Sequence, residues 1–317
     1  MEGKTALVTG AAGFIGSYLV EDLIMRGMRV IGVDNFISGR KENLKGFIDS
    51  DCFSFIEADV IKGFEVSQDV DFIYHLASPA SPVDYYKYPE ETMLVNSVGT
   101  YNMLRMAKEK RAKFLFSSTS EVYGDPLEHP QKETYWGNVN CVGERSCYDE
   151  SKRYGETATM VFLKKYDCDV RIIRIFNTYG PRMRKNDGRV VSNFINQALC
   201  GEPITLYGDG VQTRSFCYVL DMVRGIYLAM VEKNTKGEVI NLGNPDERTI
   251  KEFAKMIKEM VGGDSKIIYE KLPKDDPVKR KPDIEKARKL LGWSPKVELE
   301  EGLGKTIDYY RKMGSEK

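Results

Sequence analysis

The chain has 317 residues, which is long enough to bury a sizeable core in one large domain or two unequal domains. Lysine plus arginine total 47 and aspartate plus glutamate total 47, so the balanced charge argues against a nucleic-acid or membrane-surface partner. The six scattered cysteines form no C-x-x-C pair, only two histidines occur, and no apolar run is long enough to span a bilayer. We therefore expect a cytoplasmic protein with reduced thiols, no signal peptide, no membrane partner and no metal site.

Short apolar runs alternate with helical segments through the first half of the chain. Runs that are apolar throughout are typical of strands buried on both faces. We expect strands at 5–9, 29–34, 53–57, 72–76, 113–118 and 170–176, and helices at 14–26, 91–110 and 148–165. This alternation predicts an α/β fold with a doubly wound, Rossmann-like parallel sheet over residues 1–176.

The sequence pattern changes after Phe176, where glycine and proline residues divide the chain into shorter segments. A helical segment at 221–231 and a strand-like run at 239–242 indicate that the chain rejoins the sheet over about 217–241. Helical patterns follow at 249–261, 283–290 and 300–311. We therefore predict a smaller, mainly helical C-terminal substrate lobe, formed by 177–216 and 242–317 and interleaved with the first lobe.

The segment 10–16, Gly-Ala-Ala-Gly-Phe-Ile-Gly, lies between the first strand and the first helix. Gly10, Gly13 and Gly16 permit a tight turn that brings backbone N–H groups and the helix dipole close to a pyrophosphate. The spacing differs from the usual G-x-G-x-x-G, so its position between strand and helix carries the interpretation. Asp34, at the end of the second strand, suits an adenosine ribose and would repel a 2′-phosphate. This favours NAD over NADP, although Arg40 lies close in sequence.

Tyr148 and Lys152 open a predicted helix and are four residues apart, which places them on one helix face. The lysine ammonium would stabilise a phenolate and lower the pKa of Tyr148 from its usual value of about 10. Tyr148 could then act as a base, while Lys152 also holds a nicotinamide ribose. The Y-x-x-x-K pattern is common by chance. Its place after the glycine turn and after the strand end at 117–121, Ser-Ser-Thr-Ser-Glu, favours a catalytic role.

The glycine turn, Asp34, the Ser/Thr strand end and the Tyr148–Lys152 pair together resemble the extended short-chain dehydrogenase/reductase family over essentially the whole chain. Members of that family oxidise a sugar-ring hydroxyl with bound NAD, act on the keto sugar, and often reduce it again. The resemblance therefore implies NAD as cofactor and a nucleotide sugar as substrate. Besides the residues above, it implies cofactor contacts from Phe14, Ile15, Asn35, Ser38, Asp59, Val60, Leu76, Ala77, Ser78 and Ser117. Asp59 could equally cap the end of the third strand.

Ser120 and Glu121 distinguish this chain from other members of the family. Similar 4-epimerases usually have a small residue at the position of Glu121, and similar 4,6-dehydratases have an aspartic acid at the position of Ser120. The Ser-Glu pair resembles the UDP-glucuronate decarboxylases, which make UDP-xylose, and the segments 75–82, 135–140 and 275–283 look like the same subfamily. A dehydratase, a 4-epimerase and a non-enzymatic NAD-binding sensor remain alternatives, although a sensor need not keep the set of Thr119, Tyr148 and Lys152.

The resemblance to the decarboxylases also implies a role for each catalytic candidate in a redox-neutral cycle. Tyr148 would take the C4 hydroxyl proton, and Thr119 would join it in binding the enolate left by decarboxylation. Ser120 and Glu121 would assist at C5, and Arg280 would contact the uronate or the phosphates. Further substrate contacts are expected from Asn177, Arg189, Tyr207, Gln212 and Arg214.

Two groups of residues have a structural interpretation beside the functional one. His75 is expected to be a structural residue at a strand end, and Tyr85, Tyr86 and Tyr88 either line the sugar pocket or pack on the next helix. The helices at 91–110 and 148–165 resemble those that form a four-helix interface in homodimers of the family. Apolar positions on these helices suit that interface or ordinary core packing: Met93, Met103, Leu104, Met160 and Leu163.

Overall fold

The computed structural model describes residues 1–271 and 279–315. Its strands are β1 (Thr5–Thr9), β2 (Arg29–Asp34), β3 (Phe53–Glu57), β4 (Phe72–His75), β5 (Lys113–Thr119), β6 (Val170–Ile175), β7 (Thr178–Tyr179), β8 (Ile204–Tyr207), β9 (Thr213–Ser215), β10 (Cys217–Tyr218), β11 (Val239–Leu242), β12 (Glu247–Thr249), β13 (Ile267–Glu270) and β14 (Lys279–Arg280). Its helices are α1 (Phe14–Met25), α2 (Pro82–Lys87), α3 (Pro89–Leu94), α4 (Thr100–Lys110), α5 (Ser146–Tyr166), α6 (Val190–Leu199), α7 (Val219–Val231), α8 (Ile250–Val261), α9 (Glu285–Leu291) and α10 (Leu299–Ser315).

A seven-stranded parallel sheet, in the order β11-β6-β5-β4-β1-β2-β3, forms the centre of the molecule. Helices α1 and α7 pack on one face and α4 and α5 on the other, so the strands are buried on both sides. This double covering explains why the strands are apolar throughout. The predicted Rossmann-like, doubly wound sheet is therefore confirmed. The six strands expected in the first half each agree to within one residue at their ends.

The single helix predicted at 91–110 is wrong in one respect. A π-helical turn over Val95–Gly99 separates α3 from α4, so the helix carries a wider turn where an unbroken α-helix was expected. Asn96, within that turn, is fully buried, and its amide nitrogen donates to the hydroxyl oxygens of Ser78 (3.1 Å) and Ser151 (3.2 Å). The turn thus connects the loop after β4 with α5.

The residues after β6 build a second group of helices above the carboxyl ends of the sheet. Helices α6 and α8 pack together through Phe194 and Phe253, whose ring centroids lie 6.2 Å apart. The prediction of a mainly helical lobe missed several short strands: β8 pairs with β13, and β9 lies between β12 and β14. Strands of two to four residues are too short to show a hydrophobic period. Helix α7 and strand β11 return to the sheet as expected, whereas the division into two interleaved lobes stays a prediction.

Three chemical features complete the description. Within residues 1–271 and 279–315, no helix combines the length and apolar character needed to cross a bilayer. The same residues contain no cluster of three or more histidine, cysteine, aspartate or glutamate side chains suited to a metal ion. All six cysteines are free thiols.

Candidate active site

A cavity of about 630 Å³ lies where β1, β4 and β5 end, between the sheet and the second group of helices. Parallel strands all present their carboxyl ends at one edge, which is why residues from distant parts of the chain meet there. The cavity is lined by every residue that the sequence analysis assigned to cofactor, chemistry or substrate: Gly10, Gly13, Phe14, Ile15, Gly16, Asp34, Asn35, Ser38, Asp59, Val60, Leu76, Ala77, Ser78, Ser117, Thr119, Ser120, Glu121, Tyr148, Lys152, Asn177, Arg189, Tyr207, Gln212, Arg214 and Arg280.

The turn between β1 and α1 leaves room only for glycine. Gly10 has a φ of +74°, and a Cβ at this position would lie 2.9 Å from the backbone nitrogen of Ala77. A Cβ on Gly16 would lie 2.0 Å from the carbonyl oxygen of Gly10. Gly13 occupies the N-cap of α1, and the first turn of that helix lines the cavity. Side chains at Gly10 and Gly16 would clash with the backbone, so the glycines keep the turn tight, and a tight turn that opens a helix fits the pyrophosphate of NAD.

Asp34 ends β2 with its carboxylate fixed by two backbone donors. The carboxylate accepts hydrogen bonds from the N–H of Ala12 (3.0 Å) and of Phe36 (2.8 Å). Burial raises the pKa of Asp34, and these backbone bonds oppose that shift. The guanidinium of Arg40 is engaged elsewhere, since it donates to the carbonyl of Arg182 (2.8 Å). A carboxylate at this position suits the ribose of NAD and disfavours a 2′-phosphate.

Tyr148 and Lys152 lie on the first turns of α5, and both are buried. Lys152 donates its Nζ proton to the carbonyl oxygen of Ser117 at 2.8 Å, and the ammonium lies 5.8 Å from the centre of the Tyr148 ring. The expectation that Lys152 lowers the pKa of Tyr148 is wrong. Burial raises the pKa of Tyr148, a hydrogen bond with Thr119 only partly offsets this, and burial lowers the pKa of Lys152 to about 7. Protein groups alone therefore do not prepare a phenolate.

Glu121 is held between two arginines where β5 ends. The hydroxyl of Thr119 accepts a hydrogen bond from the N–H of Glu121 (3.2 Å), which starts a 3₁₀ turn. Arg280 is buried and donates to Ser120 Oγ (3.0 Å) and Glu121 Oε1 (2.7 Å), while Arg145 binds Glu121 Oε2. Burial opposes ionisation of Glu121, but the two arginines outweigh it and hold its pKa at about 2. Glu121 is thus a carboxylate that can accept a hydrogen bond and orient a proton donor, not a carboxylic acid.

Arg145 was missed by the sequence analysis. It is 24 residues from Glu121, so no local spacing links the two. Its position three residues before Tyr148 was the one available signal, because that spacing places both side chains near the start of α5.

The substrate candidates line the part of the cavity formed by the second group of helices. Arg214 and Arg280 are register partners on β9 and β14, so their side chains project from adjacent strands. Arg189 donates to Asp187 Oδ2 at 2.9 Å. Gln212 donates to the carbonyl of Tyr207 (3.0 Å), whereas its own Oε1 is buried and has no hydrogen-bond partner among the described residues. Such an orphaned acceptor suits an N–H or O–H group of a ligand.

His75 is buried at the end of β4, and one residue of the segment 275–283 lines the cavity. His75 is almost fully buried, with Nδ1 2.8 Å from Thr9 Oγ1 and Nε2 3.1 Å from Thr100 Oγ1. Burial lowers the pKa of His75 to about 3, so the ring is neutral and structural, in agreement with the prediction. Of the segment 275–283, residues 275–278 lie outside the described residues, and Arg280 is the member found in the cavity.

Comparison with known proteins gives the family. Residues 6–243 match the model of the NAD dependent epimerase/dehydratase family. The chain is 53% identical to UDP-glucuronic acid decarboxylase 1 of Xenopus tropicalis, covering 98% of this chain and 72% of that protein. It is 54% identical to UDP-glucuronic acid decarboxylase 1 of Arabidopsis thaliana, covering 96% and 69% respectively. The chain belongs to the NAD-dependent epimerase/dehydratase family, and NAD is its cofactor.

Solved structures share the fold over nearly the whole chain. UDP-glucose 4-epimerase of Thermotoga maritima, solved with UDP-glucose, has 33% identity and a TM-score of 0.88, covering 98% of this chain and 99% of that chain. UDP-glucuronic acid 4-epimerase of Bacillus cereus, solved with UDP-glucuronic acid and NAD, has 32% identity and a TM-score of 0.88 with the same coverage. The resemblance to the extended dehydrogenase family is confirmed by these matches.

Proposed function

We propose that this chain catalyses the NAD-dependent decarboxylation of UDP-glucuronate to UDP-xylose. The observation that carries the proposal is the ionised Glu121 carboxylate beside Ser120, bound by Arg280 in the same cavity as Tyr148. This charged group lies where an enzyme that only inverts C4 needs none. The relatives at 53% and 54% identity, which are named UDP-glucuronic acid decarboxylases, support the same reaction.

The first half of the reaction depends on the phenolate form of Tyr148, which would take the proton of the C4 hydroxyl. The positive charge of a bound nicotinamide would favour that form against the effect of burial. The glycine turn, Asp34 and Lys152 would hold NAD, which would supply a hydride acceptor at C4 for the oxidation and a hydride donor for the final reduction. The C4 ketone is β to the C6 carboxylate, so the electrons of the C5–C6 bond can pass into an enolate as carbon dioxide leaves. Thr119 and Tyr148 would donate hydrogen bonds to the enolate oxygen, which carries the developing negative charge.

The second half of the reaction requires a proton at C5. Glu121 is ionised and would orient the donor of that proton, because a carboxylate accepts hydrogen bonds and cannot supply a proton itself. The hydroxyl of Ser120, which accepts a hydrogen bond from Arg280, can direct its own proton into the cavity. Arg280, which Glu121 holds at 2.7 Å, would contact the uronate and orient its C6 carboxylate for loss, so Glu121 would serve the step at C6 as well as the step at C5.

Three alternatives make different predictions about the site. A 4-epimerase is the activity named for the solved structures at 32% and 33% identity, but it has no need of the ionised Glu121. A 4,6-dehydratase needs an acid to protonate the leaving C6 hydroxyl, and the alcohol of Ser120 is too weak an acid for that role. A non-enzymatic NAD sensor would not need Thr119, Tyr148 and Lys152 together in one cavity.

The test is to incubate the purified protein with UDP-glucuronate and NAD and to analyse the nucleotide sugar and trapped carbon dioxide. We expect UDP-xylose and carbon dioxide in equal amounts with no net formation of NADH. The variant Glu121→Gln should lose carbon dioxide release, because the amide cannot replace the paired carboxylate. A C4-inverted uronate without carbon dioxide would establish the epimerase instead. Unchanged substrate and unchanged cofactor absorbance would leave only the sensor.

We further propose a homodimer in which α3, α4 and α5 pack against the same helices of a second copy. Exposed apolar side chains on these helices support the proposal: Met93 (47% exposed), Tyr101 (47%), Tyr154 (49%) and Val161 (47%). Met103 and Leu104 are buried in the core, so the idea that they suit the interface is wrong. Sedimentation equilibrium should give a dimer, and Val161→Glu should weaken it.

The free cysteines support the expected cytoplasmic location.

A further inference from the structure

Two side chains that have no role in the reaction proposed above contact the groups that do. Tyr85, on α2, is 2% exposed and lines the cavity. Its ring stacks on the ring of Tyr148, with centroids 5.2 Å apart and planes inclined by 14°. Arg145 binds Glu121, and its guanidinium lies 5.9 Å from the centre of the Tyr85 ring. The pair therefore joins the two groups that the reaction uses.

The elements that carry these residues are themselves anchored. Tyr85 is joined to α5 through its carbonyl oxygen, which accepts a hydrogen bond from Cys147 Sγ at 3.7 Å. Asp84, its neighbour on α2, forms an ion pair with Arg184 in the loop between β7 and α6. The stacked ring of Tyr85 is therefore held from two sides and can restrict rotation of the Tyr148 side chain.

Glu121 has one oxygen for each of its two arginines. Arg280 takes Oε1 and is also the residue proposed to meet the uronate, whereas Arg145 takes Oε2. Arg145 also lies 4.0 Å from Asp149 Oδ2, but burial, followed by the nearby charge of Glu121, raises the pKa of Asp149 to about 7. Glu121 is therefore the more firmly ionised partner of Arg145, and it would stay ionised and in place when Arg280 turns to the substrate.

We propose that Tyr85 and Arg145 are positioning residues for different halves of the reaction. Tyr85 fixes the ring of Tyr148 for oxidation at C4, and Arg145 holds the Glu121 carboxylate for the steps at C5 and C6. The inference rests on the proposed function, because only that function gives Glu121 a task after oxidation. Each half predicts a different kinetic signature.

The proposed role of Arg145 is tested with the holoenzyme and UDP-glucuronate in a single turnover. Reduced nicotinamide absorbance and carbon dioxide release are followed in the same sample. For Arg145→Met we expect the oxidation rate to stay within about threefold while carbon dioxide release falls roughly 100-fold, since only the later groups are misplaced. Reduced cofactor should accumulate. Arg145→Lys, which restores a charge without the planar fork, should recover about tenfold of the lost rate.

The proposed role of Tyr85 predicts the opposite pattern of oxidation and decarboxylation rates. In Tyr85→Leu, oxidation at C4 should slow by about 10- to 100-fold with little change in KM, and carbon dioxide release should fall in parallel because it follows oxidation. Reduced cofactor should not accumulate. Tyr85→Phe keeps the stacked ring and should recover most of the lost rate.

The controls are a buried arginine and a buried tyrosine outside the cavity lining. Arg171 and Tyr74 are 1% and 0% exposed, and Arg171→Met and Tyr74→Leu should lower stability without changing the ratio of oxidation to decarboxylation. The inference is overturned for Arg145 if both rates fall equally, and for Tyr85 if Phe recovers no more than Leu. Should either large substitution prevent folding, the Lys and Phe variants decide. If the wild type reduces NAD but releases no carbon dioxide, the proposed function and the proposed role of Arg145 both fail. The proposed role of Tyr85 is then judged on the oxidation rate alone.

Discussion

The substitution Gly155→Ala tests how closely α5 must approach β5. A Cβ at Gly155 would lie 2.3 Å from Cζ and 2.8 Å from Cε1 of Phe116, whose ring is fully buried and has no space to retreat. Alanine favours a helix over glycine by about 1 kcal/mol, whereas overpacking a core costs about 1–3 kcal/mol. The clash should therefore prevail, and we expect a net loss of about 1 kcal/mol in the free energy of unfolding.

The same substitution should reduce activity more than stability. Lys152 lies 5.1 Å from the centre of the Phe116 ring, and α5 carries both Lys152 and Tyr148, so relief of the clash displaces both. A displacement near 1 Å can cost about 100-fold in rate, and we expect kcat to fall at least about tenfold. The matched control is Gly304→Ala on α10, where a Cβ meets nothing within 4 Å and should stabilise the protein. Denaturant unfolding and steady-state kinetics provide the measurements. The reasoning is refuted if Gly155→Ala stabilises the protein as Gly304→Ala does.

Three further substitutions test the electrostatics of the site. Lys152→Met should stabilise the protein most at and below pH 7, because the folded pKa of about 7 lies below the unfolded 10.5; thermal melts should show this advantage shrinking as pH rises towards 10. Thr119→Val removes the hydrogen bond that lowers the pKa of Tyr148, so the pH–rate profile should shift to higher pH and the rate at neutral pH fall about tenfold; an unshifted profile would contradict this. Asp34→Asn should weaken NAD binding about 10- to 100-fold and admit NADP, and cofactor titrations that still exclude NADP would count against the assigned role.

The parts of the fold that depend on local pattern were accessible from the sequence. Buried parallel strands are continuously apolar, and a glycine turn between strand and helix has few other interpretations. The helical spacing of Tyr148 and Lys152 likewise placed both side chains in the cavity. The other residues that line the cavity could be named in advance because the chain resembles a known family. Local sequence pattern alone does not identify those positions.

The parts that depend on burial and on distant contacts were not accessible. The pKa of Tyr148 was expected to fall, because proximity to a lysine is visible in a sequence, whereas the desolvation that raises that pKa is not. The contact of Arg145 with Glu121 requires knowledge of where the end of β5 meets the start of α5. The strands β9, β12 and β14 have only two or three residues, which is too few to show a repeating pattern, and they form because their pairing partners are brought together.

The π-helical turn at Val95–Gly99 changes the helical phase of everything that follows it. One residue more or less in a helix rotates the part that follows by about 100°. The direction of the α4 side chains therefore depends on the wide turn and on the number of residues in it. Met103 and Leu104 reach the core because of that phase. Deletion of a single residue here would replace the wide turn by regular α-helix and leave the apolar side of α4 facing the sheet, because the turn accommodates one residue more than an α-helical turn does. This segment should therefore tolerate the loss of one residue better than α4 does, where the same deletion would rotate the side chains that follow by about 100°.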